Sequence, residues 1–190
     1  MSNKINILSV GAGFMGSLHA KAYEKIEGVR NVGIVTRNYS SSEQLANELG
    51  GDVPRFTNFE EAIGQTSPDA VAISTYTDSH FHYVSTALNR GLHVFVEKPL
   101  ALDLAGLDAV REAYEKTHDQ HLMVGFNRRF SPHASKIREL LSTCSEPPCM
   151  VMTVNAGKIP TDHWVHDPTV GGGRVIGEGC HWIDLMSFLV

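Results

Sequence analysis

Three glycines near the start of the chain, Gly11, Gly13 and Gly16 in the run GAGFMG, have the spacing of a turn that can hold a pyrophosphate. The run follows a short apolar stretch, INILSV, and opens a helical pattern at Phe14, the context this motif requires. Gly11 would permit the tight turn, Gly13 would let the backbone reach the phosphates, and Gly16 would let helix and sheet pack closely. With Phe14 and Met15 they would present the N–H groups and positive end of a helix to an anion. The bland alternative is a glycine turn that holds no ligand.

Two further groups could move protons. Glu97, Lys98 and Pro99 follow the apolar run HVFVE, at the carboxyl edge of a sheet where doubly wound folds bind their ligands. A lysine partly desolvated there, near a cationic ring, would favour its neutral form. It could then hydrogen-bond a reacting hydroxyl or help remove its proton. Alternatively Lys98 is simply exposed before a proline. His181 and Asp184 lie three apart on the last helical run, so both can share one face; the alternative for His181 is a buried core histidine.

The end of the second strand should decide which dinucleotide is bound. An acidic residue there would bond the ribose hydroxyls and favour NAD. This chain has Thr36 and Arg37 instead, followed by Ser40, Ser41 and Ser42. Arg37 can pair with a 2'-phosphate and serine hydroxyls can donate to it, so the reading is NADP or NAD with NADP favoured. Arg37 could also be a solvated loop residue or stack on adenine without selecting.

The elements that must position these groups alternate from the start. Strand-like runs at 5–10, 31–36, 70–75, 93–97 and 121–126, with a short extended RFT between the second and third, are separated by helical patterns at 14–27, 43–49, NFEEAIG, 80–89 and 104–116, the last capped by Asp103. Near-continuous apolar strands between helices predict an α/β fold, a Rossmann doubly wound parallel sheet, over residues 1–125. Residues 126–190 read as an incomplete α+β second domain. It holds an amphipathic helix from SPHASKIRELL, a loop CSEPPC, a strand MVMTVNAG, an irregular glycine- and histidine-rich stretch and a final helix.

Composition narrows the function. Sixteen basic against twenty-one acidic residues, a net charge of -5, supply no surplus for nucleic acid or an anionic membrane. No apolar run approaches the roughly 20 residues of a membrane-spanning helix, and the N-terminus reads as a strand, so a cytoplasmic location is expected. Three cysteines, Cys144, Cys149 and Cys180, lack zinc-type spacing and read as free thiols. Ten histidines are scattered, and no metal site is expected.

At STYTDSH followed by GLHVFVEKPLAL, the sequence resembles the glucose-fructose oxidoreductase, inositol dehydrogenase and rhizopine-catabolism (Gfo/Idh/MocA) family. The resemblance spans essentially the whole chain and rests on the order of the glycine turn, T-x-x-x-x-H, E-K-P and GGG…H-x-x-D. It implies that Lys98 and His181 are catalytic, that Glu97 helps hold the cofactor ribose, and that Thr75, Tyr76 and His80 line the nicotinamide pocket. It places Asn127, Arg128 and Arg129 near cofactor and substrate, makes Trp164 an aromatic cofactor contact or a core anchor, and gives Asp184 to substrate binding. Many members carry an aspartate four residues before the histidine. Here that position is Gly177, with Glu178 beside it. Either Glu178 partners the imidazole, or Lys98 and His181 work without a carboxylate.

The resemblance therefore implies an NAD(P)-dependent oxidoreductase moving a hydride between nicotinamide and a sugar-like or cyclic polyol substrate. The alternatives are a dinucleotide-binding regulator without catalysis, or a truncated inactive relative. Family second domains continue past the final helix into a broad sheet with no counterpart in these 190 residues. A chain ending there would leave apolar surface for a homo-oligomer or another partner to cover.

Overall fold

The computed structural model describes residues 4–146 and 149–190, and the chain divides into two compact units, Met1–Val124 and Gly125–Val190. The two prolines inside CSEPPC lie outside the described residues. In the first unit the order is β1 (Ile5–Val10), α1 (Phe14–Tyr23), β2 (Val29–Val35), α2 (Ser40–Glu48), β3 (Arg55–Phe56) and α3 (Phe59–Thr66). It continues with β4 (Ala70–Ile73), α4 (His80–Asn89), β5 (His93–Val96), α5 (Leu104–Glu115) and β6 (Leu122–Val124). The strands form one sheet in the order β3-β2-β1-β4-β5-β6, with every neighbouring pair parallel. The order reverses between β1 and β4, which opens a crevice at the carboxyl ends of those strands.

The apolar runs are nearly continuous because the sheet is covered on both faces. Leu8, Val10, Val71 and Ile73 pack with Phe59 of α3, Val84 of α4 and Val110 of α5 on one face. Ile34 packs with Ala20 of α1 and Leu45 of α2 on the other. Each of these side chains larger than alanine, fully removed from water, contributes roughly 1.5–3 kcal/mol. One buried polar clasp crosses this core. Asn31 Oδ1 accepts from Ser9 Oγ (2.8 Å), while its Nδ2 donates to Ala20 O (2.9 Å) and Glu24 Oε1 (2.8 Å). The clasp ties the end of α1 to β1 and β2, close to the point between Ile7 and Leu8 where the β1–β2 register shifts.

Helix ends follow local chemistry. Asp103 Oδ1 accepts from Gly106 N (2.8 Å) and caps α5 as expected. Two helix ends differ from expectation by three residues or more. Helix α1 stops at Tyr23, ahead of the turn that ends at Gly28 with φ +80°. Helix α2 begins at Ser40, because Asn38 Oδ1 accepts from Ser41 N (3.0 Å) and starts the helix there.

The second unit holds a 3-10 turn (Asn127–Phe130), α6 (Pro132–Leu141), a second 3-10 turn (Trp164–His166) and a π turn (Val175–Gly179) that leads into α7 (Cys180–Leu189). Pro132 opens α6, as the sequence suggested, and Ser131 Oγ caps it by accepting from Ala134 N (3.2 Å). The strand expected at MVMTVNAG is irregular chain instead. A strand needs a neighbour for its N–H and C=O groups, and the described residues of this unit contain none. Buried apolar side chains here are Ala134, Val165 and Leu189. No helix among the described residues is long and apolar enough to cross a membrane.

Candidate dinucleotide site and associated polar groups

Two of the three glycines between β1 and α1 are required sterically, and the third leaves space. Gly11 has φ +99°, and a Cβ there would overlap the Ser74 carbonyl at the end of β4. A Cβ on Gly16 would overlap the Gly11 carbonyl, so only glycine lets α1 lie this close to its own approach turn. Gly13 faces open space, with nothing within 4 Å of a built Cβ. It precedes α1 with no side-chain cap, which leaves the N–H groups of Phe14 and Met15 in the first turn to an external acceptor. The chain's own residues thus fit a pyrophosphate without adjustment.

Beyond β2, Thr36 is buried and its Oγ1 donates to Asn38 O (2.7 Å). The Arg37 guanidinium lies 5.0 Å from the centroid of the Tyr76 ring, joining the loops after β2 and β4 by a cation–π contact. The serines do not behave as expected. Ser40 and Ser41 hydroxyls both donate to Asn38 Oδ1 (2.7 Å each), and Ser42, fully buried, donates to Tyr39 O (3.0 Å). They serve the start of α2, which leaves Arg37 as the group able to meet a 2'-phosphate.

After β4, Thr75 Oγ1 shares a hydrogen bond with Ser79 Oγ (2.8 Å) at the start of the 3-10 turn Thr77–Ser79. His80, expected to line a pocket, is instead 1% exposed. Its Nδ1 lies 2.7 Å from Pro99 O and its Nε2 3.2 Å from Thr75 O. Burial lowers its pKa, against the hydrogen bonds to Pro99 and Thr75 that raise it. The ring is therefore a latch between the β4 and β5 loops.

At the end of β5, Glu97 has a side chain only 12% exposed. Its Oε1 accepts from His19 Nε2 of α1 (2.7 Å), and its Oε2 accepts from Lys98 N (3.3 Å). Burial would raise this carboxyl, but the hydrogen bond and charge of His19, with the Lys98 N–H and ammonium, hold it below the usual carboxylate range. Tyr23, one turn past His19, is pushed up to about 12 by burial and by the Glu97 charge. Lys98 is half-buried and followed by Pro99 through a cis peptide bond.

In the second unit, His181 is 9% exposed near the start of α7, with its ring 6.4 Å from that of Phe126. Asp184, one turn on and 8% exposed, accepts from Arg129 Nε (2.7 Å) and from Arg129 Nη2 in a bidentate pair. Arg128 lies over the Trp182 ring at 4.3 Å, and Arg138 over Phe188 at 4.2 Å. Asn127 opens the 3-10 turn and is exposed. Trp164, 40% exposed with its ring 5.5 Å from that of His163 and tilted by 33°, is an edge residue and not the core anchor; Val165 fills that place.

Glu178 is paired with an arginine. It accepts from Arg174 Nη2 (2.8 Å) and Nε (3.2 Å), and Arg174 Nη1 also donates to Gly157 O (2.8 Å). Gly177 has no room for a side chain, since a Cβ would sit 2.9 Å from Gly171 O and 3.0 Å from Val165 Cγ2. Cys144, Cys149 and Cys180 form no disulfide. Among the described residues no cluster of three His, Cys, Asp or Glu side chains could hold a metal ion.

Sequence reasoning missed His19, Asn38 and Arg174. The i, i+4 spacing of Arg174 and Glu178 was a readable signal. For His19 no local signal exists, because its partner lies 78 residues away.

A profile of the Gfo/Idh/MocA oxidoreductase family, NAD-binding Rossmann fold, matches residues 5–126. The chain is 34% identical over 132 residues to an inositol 2-dehydrogenase of Rhizobium meliloti, a stretch covering 70% of this chain and 39% of that protein. A solved apo scyllo-inositol dehydrogenase of Lactobacillus casei superposes with a TM-score of 0.80 at 25% identity, covering 100% of this chain and 56% of that one. The same organism's scyllo-inositol dehydrogenase with bound NAD(H) and scyllo-inositol gives 0.68 at 28% identity, covering 73% and 41%. The chain spans about half the length of these relatives, or less.

Proposed function

Because this chain belongs to the Gfo/Idh/MocA oxidoreductase family, we propose that it holds a nicotinamide dinucleotide at the β1–β4 crevice and acts on a cyclic polyol of the inositol kind. The observation that carries the reading is the glycine turn: an uncapped α1, open space at Gly13, and backbone overlap for any side chain at Gly11 or Gly16. The inositol dehydrogenases among its relatives support the substrate class. A bound nicotinamide ring supplies the hydride acceptor or donor. The protein's part is to position and to handle the proton. Lys98, beside Glu97 at the carboxyl edge of β5, hydrogen-bonds the reacting hydroxyl and helps take or return its proton; the family resemblance gives His181 of α7 a part in proton transfer.

Arg37 at the end of β2, with no carboxylate there to repel a 2'-phosphate, favours NADP. Fluorescence titration of the chain with NADPH and NADH tests both points. Tighter binding of NADPH, with the preference lost in Arg37→Ala, is the expected result; equal failure of both dinucleotides overturns the reading. With an inositol as substrate, Lys98→Ala should lower turnover about a hundredfold or more while dinucleotide affinity is retained. Unchanged turnover would remove Lys98 from the mechanism.

A second reading, a dinucleotide-binding protein without catalysis, is favoured by the second unit. Gly177 has no room for a carboxylate, and Glu178 is held by Arg174. Dinucleotide binding with no turnover of any polyol would select it.

A further inference from the structure

We propose that His19 is a positioning residue for the Glu97 carboxylate and, through it, for the ribose of the dinucleotide. The second half rests on the dinucleotide reading above; the first rests on geometry alone. Glu97 ends β5 with little access to water, so its ionised form needs strong donors in place. The short one is His19 Nε2–H, 2.7 Å from Oε1. The imidazole is fixed from two sides, stacked on Tyr23 at 6.2 Å with planes 17° apart and edge-on to Phe95 at 4.9 Å. Its plane is thereby set so that Nε2 meets the carboxylate, and Oε2 is left with the longer bond from Lys98 N at 3.3 Å.

The position of His19 gives the pair its consequence. It lies three residues past Gly16, one turn into the helix whose first turn is open to the phosphates. One rigid element therefore carries both the pyrophosphate-facing N–H groups and the donor that orients Glu97. With Oε1 held by α1, Oε2 can accept from a ribose hydroxyl. The titratable groups acting on Glu97 are His19 from α1 and Lys98 next along the chain, while the Glu97 charge in turn acts to raise Tyr23 of α1 and His80 of α4.

Three substitutions in the full chain test this. His19→Leu removes the donor. His19→Gln places an amide N–H near the position of Nε2, and His19→Asn carries an amide too short to reach Oε1. Two readouts are used: the Glu97 carboxyl titration followed by carbon NMR without dinucleotide, and NADPH and NADH affinity by fluorescence. His19→Leu and His19→Asn should move the Glu97 titration upward and weaken dinucleotide binding about tenfold, the scale of a lost hydrogen bond to a charged group. His19→Gln should recover most of that affinity. In a Glu97→Gln background, His19→Leu should cost less than about twofold further, as expected for coupled partners.

Equal losses in the Gln and Asn variants, or an undiminished loss in the Glu97→Gln background, would mean that His19 only packs, and would overturn the proposal. So would a Glu97 titration that ignores His19. If His19→Leu does not fold, the Gln and Asn pair decides the matter. If the unsubstituted chain binds neither dinucleotide while the Glu97 titration still follows His19, the dinucleotide reading and the ribose half fall together, and the positioning of Glu97 stands.

Discussion

The two units hold their candidate groups by different means. In the first, backbone does most of the positioning: a glycine turn between β1 and α1, strand ends in register, and the buried His80 locked to the Pro99 carbonyl, with the His19–Glu97 pair as the exception. In the second, side-chain pairs do it. Asp184 is held by Arg129, Glu178 by Arg174, and Trp182 and Phe188 lie under arginines, over a core of few buried apolar side chains. A site set by backbone is ready before a ligand arrives, whereas one set by ion pairs depends on groups that salt and substitution can reach.

The sharpest way to break this contrast is at two glycines with positive φ. Gly11→Ala forces a Cβ into the Ser74 carbonyl and should cost about 4 kcal/mol or more. Gly157→Ala, with nothing within 4 Å of a built Cβ, should cost about 1 kcal/mol for its backbone conformation alone. Denaturant titration separates the two. Next in size is a core pair. Ile73→Ala, fully buried in β4, should cost about 3 kcal/mol, and Val165→Ala in the second unit about 1–2 kcal/mol. Native-state hydrogen exchange would assign each loss to its own unit; equal losses would erase the distinction drawn here.

Arg129→Ala leaves the nearly buried Asp184 carboxylate without its fork. With Arg129 itself partly exposed, about 1–2 kcal/mol is expected, seen as faster amide exchange across α7. Arg129→Lys should recover only part, since an ammonium cannot form the bidentate pair. The smallest effect is a slope with pH. Burial depresses the His80 pKa in the folded chain, so the unfolded chain takes up a proton that the folded chain resists. Stability from this group is full above the unfolded imidazole value of about 6.5 and is lost as pH falls through the lower folded value. Glu97, also depressed, adds a second loss of the same sign once pH falls below about 4.3, the unfolded carboxyl value. His80→Gln should flatten the higher window and leave the lower one, in thermal melts taken across pH.

Much of the first unit was legible because its signals are local. Gly11, Gly13 and Gly16 announce a turn by spacing alone, Asp103 announces a cap, and the apolar runs announce buried strands. Signals that need a distant partner were not legible. MVMTVNAG has alternation over part of its length, yet alternation makes a strand only where another strand can receive its hydrogen bonds. Ser40 to Ser42 looked like loop hydroxyls ready for a phosphate, but Asn38 and Tyr39 take them for the start of α2. His80 looked like a pocket residue and is a buried latch.

By itself the sequence determined the order of strands and helices in the first unit, the glycine turn, and the family resemblance, since each is written in residues close along the chain. Only the tertiary structure decided which groups meet: His19 with Glu97 across 78 residues, Arg129 with Asp184 across 55, and His80 with Pro99 across 19. The reason is physical. A buried charge or ring nitrogen takes whichever donor or acceptor folding brings within about 3 Å, and spacing along the chain does not say which that will be.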